Sequence, residues 1–146
     1  MKLELELVVK EAASRYDRKG QFKVNTPNDV VRFMDWLTKR PQEDLYVILL
    51  SSKNDFMGYY HVARGSLNVA HATPADILRP VIVGGAARMI LVHNHPSGDQ
   101  TPSEDDIAFT KKVREACQLI GIDLLDHIVI TRSGYTSMKA EEVISW

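Results

Sequence analysis

The chain has 146 residues, 45% of them hydrophobic, enough for one domain to bury a core without covalent staples. Its 18 basic and 19 acidic residues are well mixed and leave a formal net charge of -1, so composition gives no footprint for nucleic acid or an anionic membrane surface. The single cysteine, Cys117, excludes an intramolecular disulfide, fits a reducing cytoplasm, and leaves any metal site to histidines and carboxylates.

Residues 1–10 alternate apolar and charged side chains and lack the basic start and apolar run of a signal peptide. No apolar stretch approaches the roughly 20 residues that a bilayer span needs, so no membrane partner is expected. Leu3, Leu5 and Leu7 alternate with Glu4 and Glu6, which predicts a half-buried strand before a polar connection over residues 14–21. Residues 1–25 therefore read as an N-terminal strand and connecting segment, and residues 26–146 as one compact domain. Thr26-Pro27-Asn28-Asp29 predicts a helix start, with a cap, a first-turn proline and an acid that favours the helix dipole. Val30, Phe33, Met34 and Leu37 follow at helical spacing. Residues 46–50 predict a buried strand, 51–55 a turn and 56–63 a second strand, together a hairpin. After Gly65 the chain crosses through residues 66–72, and Thr73-Pro74-Ala75-Asp76 repeats the helix-start chemistry for a helix ending near Gly84 and Gly85. Residues 88–93 are apolar enough for a strand buried on both faces of an α/β sheet, at its centre. A Pro- and Gly-rich loop over 96–102 leads to a long helix from Ser103 to about Leu119, with Ile107, Val113 and Cys117 inward and Gly121 as its stop. Residues 122–125 and 127–131 predict another strand, Ser133 and Gly134 a turn, and 138–146 a short terminal helix.

The chemistry concentrates between residues 93 and 106. Residues two apart on a strand share a face, so His93 and His95 can present both imidazoles to one ion at the end of the central strand. Pro96 stops the strand, the loop turns back, and the first turn of the following helix can bring Asp106 to the same point. Two imidazoles, one carboxylate and an open fourth position are the arrangement of catalytic zinc, with bonds of roughly 2.0–2.2 Å. Ser103-x-x-Asp106 reads equally as a helix start, the use this chain makes of Thr-x-x-Asp twice elsewhere. Asn94, between the histidines, should face away and anchor the neighbouring loop. Asp99 reads as a turn residue, and the Asp126-His127 pair as support for the fold or for the outer shell of the site.

Together, His93-x-His95-Pro96, six residues, then Ser103-x-x-Asp106 is similar to the zinc signature of the JAMM/MPN metalloproteases. The string His93-Asn94-His95-Pro96-Ser97-Gly98, followed by Pro102-Ser103 and by Asp126-His127 downstream, resembles the RadC-like JAB branch of that superfamily. The resemblance runs from about Thr26 to Ser137 and includes Asn54 and Arg64-Gly65-Ser66-Leu67. It implies a mixed β-sheet flanked by helices, similar to cytidine deaminases, with Zn2+ on His93, His95 and Asp106. It also implies hydrolysis of peptide or isopeptide bonds in a peptide or protein substrate, with Ser103 steadying the oxyanion.

The resemblance further implies a glutamate base on an upstream strand, five residues before the glycine matching Gly65. That position holds Tyr60, and residues 56–75 contain no Asp or Glu. Tyr60, with an ordinary pKa of about 10, is a poor base near neutrality, and alternation places the neighbouring His61 on the opposite face. A second expectation therefore stands beside hydrolysis: a metal-stabilised, catalytically impaired module that binds protein or DNA, in keeping with the DNA-repair association of RadC-like proteins. Base deamination, suggested by fold alone, lacks the cysteine ligands that chemistry uses.

Overall fold

Three helices of this chain begin on the same local chemistry. In a computed structural model, which describes residues 22–65 and 72–146, they are α1 (Pro27–Phe33), α2 (Pro74–Val83) and α3 (Glu104–Ile120). In each, an acid three residues past the cap turns its carboxylate back onto the cap's free N–H. Asp29 Oδ2 accepts from Thr26 N at 2.8 Å, Asp76 Oδ2 from Thr73 N at 2.8 Å, and Asp106 Oδ2 from Ser103 N at 2.7 Å. The predicted strand at Leu3, Leu5 and Leu7, and residues 66–71 of the crossing, lie outside the described residues.

The first helix is shorter than its apolar spacing predicts. It ends at Phe33, and Met34 turns the chain into a 3-10 segment, Asp35–Lys39. The tighter winding keeps Met34 and Leu37, three residues apart, on one side. Both are fully buried, so the sheet that they cover decides the winding.

The strands are β1 (Asp44–Leu50), β2 (Phe56–Arg64), β3 (Arg88–Asn94), β4 (Asp123–Ile130) and β5 (Tyr135–Ser137). They form one mixed sheet in the order β2-β1-β3-β4-β5, in which β3 and β4 are parallel and the other pairs antiparallel. The described residues are thus α/β, a five-stranded mixed sheet with three α-helices. α3 supplies the crossover that two parallel neighbours require.

Both faces of the central strands are covered, which explains their nearly unbroken apolar runs. Leu45, Val47, Leu49, Met89 and Leu91 face Ile77 and Val81 of α2 and Phe109, Val113 and Cys117 of α3. Tyr46, Ile48, Leu50, Ile90, Val92, Ile128 and Ile130 pack with Val30, Phe33, Met34 and Leu37. Each fully buried aliphatic side chain contributes about 1.5–3 kcal/mol by leaving water, so this double layer holds the end of β3 in place.

β4 runs unbroken through Asp126, whose carboxylate accepts from His127 N at 2.7 Å, from Lys139 N at 3.1 Å and from the Ser137 hydroxyl. The predicted helix over 138–146 does not form. The segment is a series of turns, with Met138 N bonded to His127 O at 3.0 Å and Glu142 at φ 51. Met138 is fully buried and Ile144 nearly so, and pinning both to the sheet overrides the helical pattern. Among the described residues no helix is long and apolar enough to cross a membrane.

Cys117 is 1% exposed, and burial pushes its thiol up to about 11. Iodoacetamide at neutral pH should therefore leave the native protein unmodified and label Cys117 once denaturant is added. Rapid native labelling, read by mass spectrometry, would mean that the second half of α3 is not packed as described.

Candidate metal centre

β3 alternates Met89, Leu91 and His93 onto the face covered by α3, and His93 is completely buried there. Past the strand end, the His95 N–H bonds Ile130 O at 3.1 Å, which holds His95 in line with the end of β4. The cap of α3 brings in Asp106, 2% exposed. His93 Nε2 and His95 Nε2 are 2.8 Å apart, and Asp106 Oδ2 lies 3.3 Å from the first and 3.2 Å from the second. The three residues that the sequence pattern singles out are thus brought together, and they could hold a metal ion.

The surrounding hydrogen bonds have a fixed direction. Thr110 has one hydroxyl hydrogen and donates it to the Asp106 carbonyl at 2.6 Å. Its oxygen then accepts from His127 Nδ1 at 2.6 Å. With its hydrogen on Nδ1, neutral His127 has an accepting Nε2, and His93 Nδ1 must donate to it across 2.7 Å. Burial and the nearby His93 push the His127 pKa well below the ordinary imidazole value, so the neutral form that this chain needs is the one present. On the other ligand, His95 Nδ1 donates to the Asp99 carbonyl at 2.7 Å, since a carbonyl can only accept.

Both ligand imidazoles are therefore left with a lone pair on Nε2, and these lone pairs converge with Asp106 Oδ2. Three acceptors within 2.8–3.3 Å of one another demand a cation. A proton answers one pair of them; a metal ion answers all three, and two neutral imidazoles with a carboxylate are suited to one. Protons on the imidazoles answer the same demand for positive charge, and the pKa directions describe that protonated arrangement. Burial pushes the Asp106 carboxyl up, but the His93 and His95 hydrogen bonds outweigh it and hold the group well below the usual carboxylate range. The hydrogen bond to Asp106 raises the His95 pKa against the effect of burial, with further help from the Asp99 carbonyl and the Glu43 charge.

The remaining candidates fall as follows. Ser103 caps α3, and its Oγ accepts from Asp106 N at 3.0 Å. Asn94 faces away from the ligands and anchors the segment before β1, with Oδ1 accepting from Asp44 N at 2.8 Å and Nδ2 donating to Gln42 O at 2.9 Å. The Asp99 carboxylate closes a turn on Thr101 N, while its backbone carbonyl orients His95. His127 supports the site directly and Asp126 supports the fold. Tyr60 lies on edge strand β2 opposite Val47 and is 46% exposed. His61 is occupied elsewhere, 2.9 Å from Asp44 Oδ1 and stacked on Tyr46. Thr110 and Glu43 are missed by the sequence reading. The only trace of Thr110 is its position one helical turn after Asp106, and Glu43 belongs to no regular element.

Residues 24–143 match the family model described as RadC-like JAB domain. The chain belongs to the RadC-like JAB domain family. It is similar to the UPF0758 protein of Carboxydothermus hydrogenoformans, 42% identical over 141 residues that make up 94% of this chain and 62% of the relative. A UPF0758 protein of Desulforamulus reducens is 41% identical over 122 residues, 83% of this chain and 54% of the relative. One from Enterococcus faecalis is 46% identical over 100 residues, 68% of this chain and 43% of the relative. The chain thus spans 43% to 62% of the length of these curated relatives.

In this RadC-like JAB domain the Thr110 hydroxyl sets the direction of the hydrogen bonds that prepare His93. Thr110→Val keeps the shape and removes the hydroxyl, and should weaken metal binding by about 10–100-fold while leaving the fold intact. Competition against a chromophoric chelator measures this, with circular dichroism as the control. Unchanged affinity would mean that the chain of hydrogen bonds does not prepare the site.

Proposed function

We propose that this domain is a zinc-dependent hydrolase of peptide or isopeptide bonds in a peptide or protein substrate. The observation that carries the reading is the set of three convergent acceptors, His93 Nε2, His95 Nε2 and Asp106 Oδ2, with the Ser103 hydroxyl fixed beside it. Two imidazoles and one carboxylate favour zinc over the harder divalent ions. Zinc held there would supply Lewis acidity, lowering the pKa of water far below its bulk value and polarising a carbonyl oxygen.

The side chains do the rest. His127 and the Asp99 carbonyl hold the two imidazoles in the tautomer and orientation that ligation needs. Asp106 adds negative charge and is itself fixed by the α3 cap. Because Ser103 Oγ accepts from Asp106 N, its own hydrogen is left to donate to the oxygen that gains charge when an amide carbonyl is attacked. The proposed setting is a reducing cytoplasm, in keeping with the lone, buried thiol of Cys117.

A second reading, a metal-stabilised module that binds protein or DNA without turnover, is favoured by one observation: Tyr60 stands where the resemblance calls for a glutamate. Salt-dependent DNA binding by the metal-loaded protein would support it.

Elemental analysis of wild type beside His95→Ala and Asp106→Ala should find about one zinc per chain, lost in both variants. Among peptide and isopeptide substrates cleaved by the zinc-loaded protein, Ser103→Ala should lower kcat by about 10²–10³-fold and keep the metal. A wild type that takes up no zinc, or a loaded protein that cleaves no member of such a library, would sink the hydrolase reading.

A further inference from the structure

We propose that the turn between β4 and β5, residues 131–134, positions the ligand His95, with Ser133 as its point of contact and Thr131 as the residue that shapes it. The inference rests on the reading of His95 as a metal ligand. It goes beyond that reading, because neither residue is a ligand and both act through the loop that carries one.

Of the three ligands, His95 is the one that regular structure does not hold. His93 lies within β3 with its side chain completely buried, and Asp106, 2% exposed, lies in the first turn of α3. His95 follows the end of β3, and its side chain is 10% exposed. Its ring is oriented by the Asp99 carbonyl at 2.7 Å, which belongs to the same loop, so the ring is only as well placed as the loop. Inside the loop, Gly98 N bonds His95 O, Asp99 N bonds Ser97 Oγ and Thr101 N bonds Asp99 Oδ1. These bonds shape the loop without tying it to a neighbour.

Among the described residues, one hydrogen bond joins residues 96–102 to another element: Ser133 Oγ donates to Gly98 O at 3.1 Å. The next residue adds a contact, since the Gln100 carboxamide lies against Gly134 where any side chain would collide with it. Both contacts flank Asp99, whose carbonyl sets the His95 ring.

Thr131 gives the turn its shape. It is 5% exposed, and its Oγ accepts from Ser133 N at 3.2 Å and from Gly134 N at 3.1 Å. Its hydroxyl hydrogen goes to Gly134 O at 3.0 Å, the carbonyl that also accepts from Thr131 N at 2.8 Å. A hydroxyl that closes a turn on the backbone in this way leaves the tip little freedom. The Ser133 hydrogen is then free for Gly98 O, which can only accept. The turn also begins in register with the ligand, because Ile130 O, one residue before Thr131, accepts from His95 N at 3.1 Å. From the same tip, Arg132 Nε donates to Thr38 O at 3.4 Å, so adjacent residues of the turn reach the ligand loop and the 3-10 segment. Support of this kind fixes a ligand that its own element leaves loose.

The test follows release of cobalt(II), a visible stand-in for zinc, into excess chelator by stopped flow. Wild type is compared with Ser133→Ala, Thr131→Val, the double variant and Thr131→Ser, with Ser145→Ala as the exposed-serine control. Ser133→Ala and Thr131→Val should each speed release about three- to tenfold, the effect of losing one net hydrogen bond. The double variant should be no faster than the faster single one, because both act through the same contact. Thr131→Ser, which keeps the hydroxyl, and Ser145→Ala should match wild type. The metal-free Ser133→Ala protein should melt with wild type, while its cobalt absorption bands shift. Unchanged release and bands in Ser133→Ala would overturn the assignment and leave the metal reading intact. Independent, multiplying effects in the double variant would overturn it, as would a lowered melting temperature of metal-free Ser133→Ala. A wild type that takes up neither cobalt nor zinc would instead fail the metal reading, and the assignment with it.

Discussion

The site depends on where one proton points. Thr110 gives its single hydroxyl hydrogen to the Asp106 carbonyl one turn back along α3, and this fixes the direction of each hydrogen bond beyond it. His127 must donate to Thr110 and accept from His93, so His93 turns a lone pair toward His95 and Asp106. Were the Thr110 hydrogen turned toward His127 instead, the tautomers would reverse and His93 would present a hydrogen to the same point. Burial makes the chosen arrangement firm, since His127 and Thr110 are completely shielded from water and have no solvent partner to fall back on.

Asp106 has two duties that compete for the same oxygen. Its Oδ2 accepts from Ser103 N, as the acid of a helix cap should, and also faces both imidazoles. Among the described residues this cap is built three times, and there Asp29 and Asp76 remain partly exposed and touch no histidine. The third cap differs because α3 follows the loop leaving the central strand and starts against its end. A common way to start a helix becomes a candidate ligand by being buried.

Strand alternation divides the work at residues 93 and 94. His93 faces α3 and the cluster of acceptors, while Asn94 faces the other layer and grips the peptide entering β1. The first side chain builds the site, and the second ties the segment beside Glu43 to it. The two packed layers keep β3 from shifting, and a shift of one residue would exchange these faces and lose both functions.

Several features are determined by the sequence alone, because they are local. The caps at Thr26, Thr73 and Ser103, the stop at Gly121, the apolar central strand and the two-residue spacing of the histidines follow from rules acting over a few neighbouring residues. Other features were decided only by the tertiary structure. The winding of residues 35–39 and the turns over 138–146 follow from which side chains the sheet buries, and burial outweighs periodicity there. The placement of β1 between β2 and β3, the contact between Thr110 and His127 seventeen residues apart, and the approach of Glu43 to His95 join distant parts of the chain. No local spacing encodes such meetings, because they exist only once the sheet order and the packing of α3 bring those segments together.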